Sequence, residues 1–262
     1  MWEQMTMRFR NAFFCAASLT LISTFWGSAA QAQQFTLPDG RAFLPPPPQA
    51  EEPAQQADLR AFEKTRGLKD KARWKLAQND ANLNPSHIIK DFSCAAGFTL
   101  DPAKLPAMVN LLTSLAQPVE QDVSNEKDFW KRRRPFVGTD KDICTEHSDG
   151  LDNSYAYPSG HTTWGWLTAS ILSSVLPDRA TQIMQRGRIF GESRIVCGVH
   201  WKSDVQAGYM NGSAMFAALQ EQPKFTQQMT KIRQEIQALR NDNVAPDAKT
   251  CAVEHEAAQY VF

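Results

Sequence analysis

Neither sign of charge dominates this chain. Its 262 residues carry 28 lysines and arginines against 28 aspartates and glutamates, a balance that argues against a polyanion such as nucleic acid as partner. Long apolar sequence is scarce as well. The stretch Ala12–Trp26 falls short of the ~20 residues a membrane-spanning helix needs. The stretch 162–176 is equally short and ringed with Ser and Thr, so it reads as a buried core helix and predicts no membrane partner. Strand-like alternation and internal repeats are missing, which leaves helices as the organising element. Cysteine is sparse: there are five, and no two lie close enough in sequence to suggest a zinc site. Hydrophobic residues still make up 42% of the chain, enough for a globular core.

The first residues carry a message of their own. Arg8 and Arg10 precede Ala12–Trp26, and Ala30-Gln31-Ala32 follows as a small-x-small cleavage pattern. This layout predicts a secretory signal peptide over residues 1–32, cleavage near Ala32/Gln33, and a periplasmic mature chain. Four cysteines then remain: Cys94, Cys144, Cys197 and Cys251. In an oxidising compartment they predict disulfides, in any of three pairings.

Residues 33–57 form a Pro-, Gln- and Ala-rich lead-in whose Pro45–Pro48 run forces extended backbone. Helical patterns occupy 58–66, 71–81, 104–116, 162–176, 178–190, 201–219 and 225–241. Pro118 is expected to end the third of these. Residues 136–158 read as a long polar loop, and residues 243–262 as an irregular tail. The prediction is an all-α fold, a single-domain helical bundle over 58–242 with long active-site loops. Gly165, Ala169 and Ser173 recur every four residues, so a second helix should approach that face closely. Helical surfaces left to be covered make a homodimer the expected assembly.

Three motifs carry chemistry. The run Ser193-Arg-Ile-Val-Cys-Gly-Val-His-Trp-Lys-Ser-Asp204 places His200 four residues before Asp204. On a helix the two would share a face, so that the carboxylate holds one ring nitrogen and leaves the other free to attack. Arg194 upstream offers a guanidinium fork for a phosphate-like oxyanion. The turn Pro158-Ser-Gly-His161 opens a helix, where free amides favour anions; Ser159 can add its hydroxyl, Gly160 lets an amide come close, and His161 puts its ring nearby. Lys127 and Arg134-Pro135 stand seven residues apart, two helical turns on one face, and Lys131, Arg132 and Arg133 between them add charge; the bland reading of the stretch is a solvated basic run or a nonspecific polyanion patch. Each motif alone has a bland explanation as a cap, a surface histidine or a basic patch.

In order, Lys-x6-Arg-Pro, Pro-Ser-Gly-His and Ser-Arg-x5-His-x3-Asp resemble the signature of the type-2 phosphatidic acid phosphatase superfamily, which also holds the vanadium haloperoxidases. The resemblance is closer to the periplasmic class A nonspecific acid phosphatases. It extends to Leu44-Pro-Pro-Pro-Pro48, Arg73-Trp74, Ser93-Cys-Ala-Ala-Gly97, Gly191-Glu-Ser-Arg194 and Cys197-Gly-Val-His-Trp201. It implies a phosphoric monoester hydrolase of broad specificity for small-molecule phosphate monoesters; a phosphohistidine trapped by an alcohol in place of water would add phosphotransferase activity on the side. His200 would form a phosphohistidine, Asp204 would orient it, and His161 would act as acid and then base. Lys127, Arg134, Ser159, Gly160 and Arg194 would hold the phosphoryl oxygens, with no metal and no cofactor.

Three other readings stay open at this point: a vanadium-dependent haloperoxidase, a membrane lipid phosphatase, and a non-catalytic periplasmic anion-binding helical protein. His87, His147 and His255 match no motif and read as surface or loop residues. Trp164, Trp166 and Trp201 read as core, Glu192 as a support of the last motif, and Tyr155 and Tyr157 as residues lining the mouth of the pocket.

Overall fold

The computed structural model describes residues 35–260 and 262, so the signal-peptide reading lies outside the described residues. Twelve α-helices and no strand occur among them. In order these are α1 (Gly40–Phe43), α2 (Pro53–Arg66), α3 (Ala72–Asn79), α4 (Pro85–Asp91), α5 (Ser93–Ala96), α6 (Pro106–Trp130), α7 (Asp149–Asp152), α8 (Gly160–Val175), α9 (Ala180–Cys197), α10 (Lys202–Leu219), α11 (Pro223–Asp242) and α12 (Ala248–Ala257). No helix of the described residues is long and apolar enough to cross a membrane.

Helices α8, α9 and α10 form the centre, and small residues bring them together. A Cβ built on Gly165 of α8 would stand 2.3 Å from the Phe190 ring of α9, and one on Gly208 of α10 would stand 2.7 Å from Cβ of Thr162. Neither backbone could come so close with a side chain in the way. The close approach expected along Gly165 and Ala169 is therefore present, since Ala169 in turn meets Gly187 of α9. Around this centre α6 and α11 add a layer. Leu111, Leu112 and Leu115 of α6 and Ile232 and Ile236 of α11 belong to the main apolar core. Each such side chain contributes roughly 1.5–3 kcal/mol on burial. Glu235 of α11 also caps α6, accepting the Ala107 amide at 2.8 Å.

Several boundaries differ from the expected ones. Helix α6 runs through Pro118 to Trp130 instead of stopping at 116. Proline removes the bond to the Ser114 carbonyl, but Ser114 is exposed, so water can take its place. The apolar face continues past it in Val119 and Val123, both buried, and that burial outweighs the missing bond. Helix α9 continues beyond Phe190 to Cys197 and ends where Gly198 turns left-handed at φ 82°. The tail beyond 243 is not irregular. Asp247 caps α12 by accepting the Thr250 amide at 2.8 Å, and Cys251 of that helix bonds Cys94. The lead-in is pinned: α2 already begins at Pro53, Leu44 is buried, and Gln222 exchanges two hydrogen bonds with Thr36. The second disulfide joins Cys144 to Cys197.

Candidate active site

The last motif is built differently from a single helical face. Helix α9 ends three residues before His200, and α10 begins two residues after it. His200 therefore sits in the link, its amide donating to the Arg194 carbonyl at 3.3 Å, while Asp204 lies in the first turn of α10. The intended pairing survives by another route. Asp204 Oδ2 accepts the Trp201 amide at 2.8 Å, a carboxylate reaching back to cap its own helix. The same oxygen lies 3.4 Å from His200 Nδ1.

The other ring nitrogen settles the tautomer. Arg134 Nη1 lies 3.2 Å from His200 Nε2. A guanidinium can only donate, so Nε2 carries the lone pair and Nδ1 the proton. His200 is buried, and burial pushes its pKa well below the usual imidazole value; the charges of Arg134, Lys127 and Arg194 push in the same direction. The ring is neutral, with its basic nitrogen facing the cations.

Arg134 lies past the end of α6, because Lys131 turns left-handed at φ 51° and stops the helix there. The shared helical face expected for Lys127 and Arg134 is thus replaced by a helix and the loop after it. Arg134 is anchored by the Val199 carbonyl at 2.7 Å and by Ser154 Oγ at 3.0 Å. Arg194, from the last turn of α9, is buried and donates Nη2 to the Ala77 carbonyl, while its Nε has no partner. Burial lowers both guanidinium pKa values to about 10. Lys127 is half-buried with no hydrogen-bond or ion-pair partner; burial, then the Arg134 charge, lowers its pKa to about 8. Three cations converge here without an acidic partner at hydrogen-bond distance.

The turn before α8 completes the arrangement. Ser159 is the N-cap, fully buried, and its amide donates to the Asp204 carbonyl at 3.0 Å, which locks the turn to α10. A Cβ added at Gly160 would stand 3.1 Å from Val123 and 4.0 Å from Lys127 Nζ, so the absence of a side chain leaves the ammonium open to the helix start. His161 bonds the Ala81 carbonyl through Nε2 at 3.1 Å. Burial lowers its pKa well below the usual value, followed by the charge of Arg194. All eight residues singled out in the sequence come together at the junction of α6, α8, α9 and α10.

Two residues of this junction were passed over. Arg132, assigned to a solvated run, has a side chain only 8% exposed and donates to Asp204 Oδ1 at 2.5 Å. Asp58 of α2 is buried and accepts from Arg132 at 2.7 Å. The only hint in the sequence is an arginine embedded among other cations, which looks like any surface patch. The other readings mostly stand. His147 pairs with Asp152 at 3.1 Å, His87 lies 3.6 Å from Asp91, and His255 is exposed. Trp164 is buried, and Glu192 binds Arg188 at 2.6 Å. Tyr157 does not line a mouth: it is buried, donates its hydroxyl to the Pro45 carbonyl, and packs against Trp130. No cluster of three or more acidic, His or Cys side chains suited to a metal occurs among the described residues.

Known proteins place this geometry in a family. The sequence model of the PAP2 superfamily matches residues 106–226. An "Acid phosphatase" of Zymomonas mobilis is 46% identical over 220 residues, covering 84% of this chain and 83% of its own. A "Non-specific acid phosphatase" of Salmonella typhimurium is 37% identical, covering 83% and 90%, and one of Providencia stuartii is 32% identical, covering 87% and 98%. A motif order read from the sequence, a neutral histidine among uncompensated cations, and relatives aligned along most of their length agree: the chain belongs to the PAP2 superfamily, alongside the bacterial acid phosphatases.

Proposed function

We propose that the protein is an acid phosphatase that hydrolyses small phosphate monoesters in the periplasm through a phosphohistidine on His200. The observation that carries this is the state of that ring. Its basic Nε2 faces Arg134, and its protonated Nδ1 faces a buried carboxylate. Phosphate binding alone needs donors; a positioned lone pair is a nucleophile.

The reaction runs in two steps. The phosphoryl group enters among Lys127, Arg134, Arg194, the Ser159 hydroxyl and the Gly160 amide, and Arg134 gives up its contact with Nε2 for a phosphoryl oxygen. Nε2 attacks phosphorus, the bond to the leaving oxygen breaks, and that oxygen takes a proton from His161. Asp204 stabilises the positive charge that develops on His200. Water then attacks the phosphohistidine and yields a proton to His161, while the P–N electron pair returns to Nε2. The three cations hold the equatorial oxygens throughout and supply the positive charge that a metal would otherwise bring. His161 begins neutral because burial and the clamp cations repel its proton. The proton for the leaving oxygen comes with the substrate: the bound monoester monoanion passes its proton to His161 Nδ1, while Nε2–H stays on the Ala81 carbonyl, and the phosphate product takes a proton back from His161 after water has attacked.

The two disulfides and the Ala30-Gln31-Ala32 pattern support an oxidising, extracytoplasmic location. An alcohol in place of water would give phosphotransfer, and a homodimer is the assembly to look for by light scattering. The deciding experiment is hydrolysis of p-nitrophenyl phosphate by the mature chain and by His200→Ala, with and without chelator. The wild type should turn over equally well with chelator, and the variant should lose at least about a thousandfold in kcat. Acid-labile phosphate on the quenched wild type, absent from the variant, should mark the intermediate. An active His200→Ala protein or loss of turnover on chelation would defeat the reading.

A further inference from the structure

On the Oδ1 side of Asp204 lies a second ionic assembly, whose Arg132 and Asp58 the reaction as described does not use. Arg132 Nη1 donates to Asp204 Oδ1 at 2.5 Å and to Ser203 Oγ at 2.6 Å. Its Nη2 donates to Asp58 Oδ2 at 2.7 Å and to Gln55 Oε1 at 2.6 Å. Asp58 in turn accepts the Ser203 amide at 2.8 Å through Oδ1. The indole of Trp201 lies against the guanidinium at 5.4 Å. Both carboxylates are almost wholly buried, Asp58 at 1% exposure and Asp204 at 0%.

The distances say what orients Asp204. Each of its oxygens has one short donor, Arg132 on Oδ1 and the Trp201 amide on Oδ2, whereas His200 Nδ1 is a longer 3.4 Å away. The carboxylate is thus fixed before the imidazole becomes a cation, and the histidine contact can tighten as charge develops. A buried carboxylate without a counter-charge would take up a proton in acid, and a protonated Asp204 could not stabilise an imidazolium. Asp58 has the complementary part: its carboxylate, 2.7 Å from Arg132 Nη2, offsets guanidinium charge that would otherwise act on Asp204.

We infer that Arg132 and Asp58 are positioning residues that set, with opposite sign, how far into acid Asp204 stays ionised behind the nucleophile. The inference rests on His200 being the nucleophile. It also gives the N-terminal segment a part in the chemistry, because Asp58 and Gln55 both belong to α2. The other charged or titratable groups facing Asp204 are His200 and Arg134 from the links, Lys127 from α6 and Tyr157 from the loop before α8. All of them stay in place in the variants below.

The test is the pH dependence of kcat for p-nitrophenyl phosphate, together with inhibition by inorganic phosphate. Arg132→Ala should lower kcat by about 10- to 100-fold and move its acid limb up by about one to two pH units. Asp58→Asn should move the same limb down, since Asp204 then feels less negative charge. Arg132→Lys should return part of the lost kcat and of the limb. KM and the phosphate inhibition constant should stay within about threefold, because neither residue reaches the clamp. A scaffold role alone would lower stability and leave both limbs unmoved, and that result overturns the inference. If Arg132→Ala does not fold, Asp58→Asn and Arg132→Lys decide through the direction of the limb. His200→Ala separates the two levels: an active protein removes the proposed reaction, whereas an inactive one beside unmoved limbs removes only the positioning role.

Discussion

Two groups of buried arginines lie in the same small fold and live under opposite conditions. Arg186 of α9 is enclosed by acids. Asp80 takes its Nη2 at 2.6 Å, Glu254 takes its Nε at 3.0 Å, and the Asp91 carbonyl accepts as well. Burial alone would lower its pKa, but Asp80 and Glu254 win and raise it. Arg134 and Arg194 are buried as well, meet mainly carbonyls, and have their pKa values lowered to about 10. Burying a charge is costly unless it is paired. Arg73 of α3 is likewise buried without a carboxylate at hydrogen-bond distance, its Nη1 on Ser193 Oγ at 2.9 Å, so an open circuit alone does not mark a site; in the proposed reading it is the convergence of Arg134 and Arg194 with the partnerless Lys127 that makes a place for an anion from outside. The difference separates an ionic joint from the proposed binding site, although both are built on the same residue type.

Substitution of Arg186 should test this contrast most severely. Arg186→Met leaves Asp80 and Glu254 buried without their cation and should cost about 3–5 kcal/mol of stability in urea unfolding. The protein that remains folded should keep kcat/KM within a few-fold. Arg194→Ala should do the reverse, lowering kcat/KM by about 10²- to 10³-fold while thermal unfolding stays level or rises, because an unpaired cation has left the interior. Equal losses of stability in the two variants would erase the distinction.

The smallest effect concerns Lys127. Its pKa, lowered to about 8 by burial, means that the ammonium is present below that pH and lost above it. Inhibition by inorganic phosphate should weaken about tenfold as pH rises from 7 to 9. Lys127→Arg should abolish that dependence, because a guanidinium stays charged across the interval. A wild-type inhibition constant that is flat from 7 to 9 would show that Lys127 does not face the anion.

The residues that come together in the candidate site were readable because each motif is local. Pro158-Ser-Gly-His161 is a turn whatever surrounds it, and the spacing from Arg194 to Asp204 spans one helix end, one link and one helix start. What stayed hidden depends on contacts between distant residues. Arg132 reaches Asp204 across 72 positions and Asp58 across 74, and nothing in its neighbourhood separates it from Lys131 and Arg133. The passage of α6 through Pro118 was hidden for a related reason: local propensity says stop, and only the burial of Val119 and Val123 says continue. Helix α12 is short and polar, and its place is set by Cys94 and Arg186, more than sixty residues away along the chain.

One contact pair has a consequence for spacing. The carbonyls of Ala77 and Ala81, four residues apart around the end of α3, receive Arg194 and His161 respectively. The proposed phosphate cation and the proposed proton donor, drawn from two different helices, are thus hung from one short stretch of backbone. In the proposed reaction that stretch would act as a ruler, setting the distance from the phosphoryl oxygens to the leaving oxygen. Asp80, between the two marks, is held by Arg186 and Ser193. Lengthening the ruler by one residue would leave every side chain of the site intact and still set the acid out of step with the bond it must break.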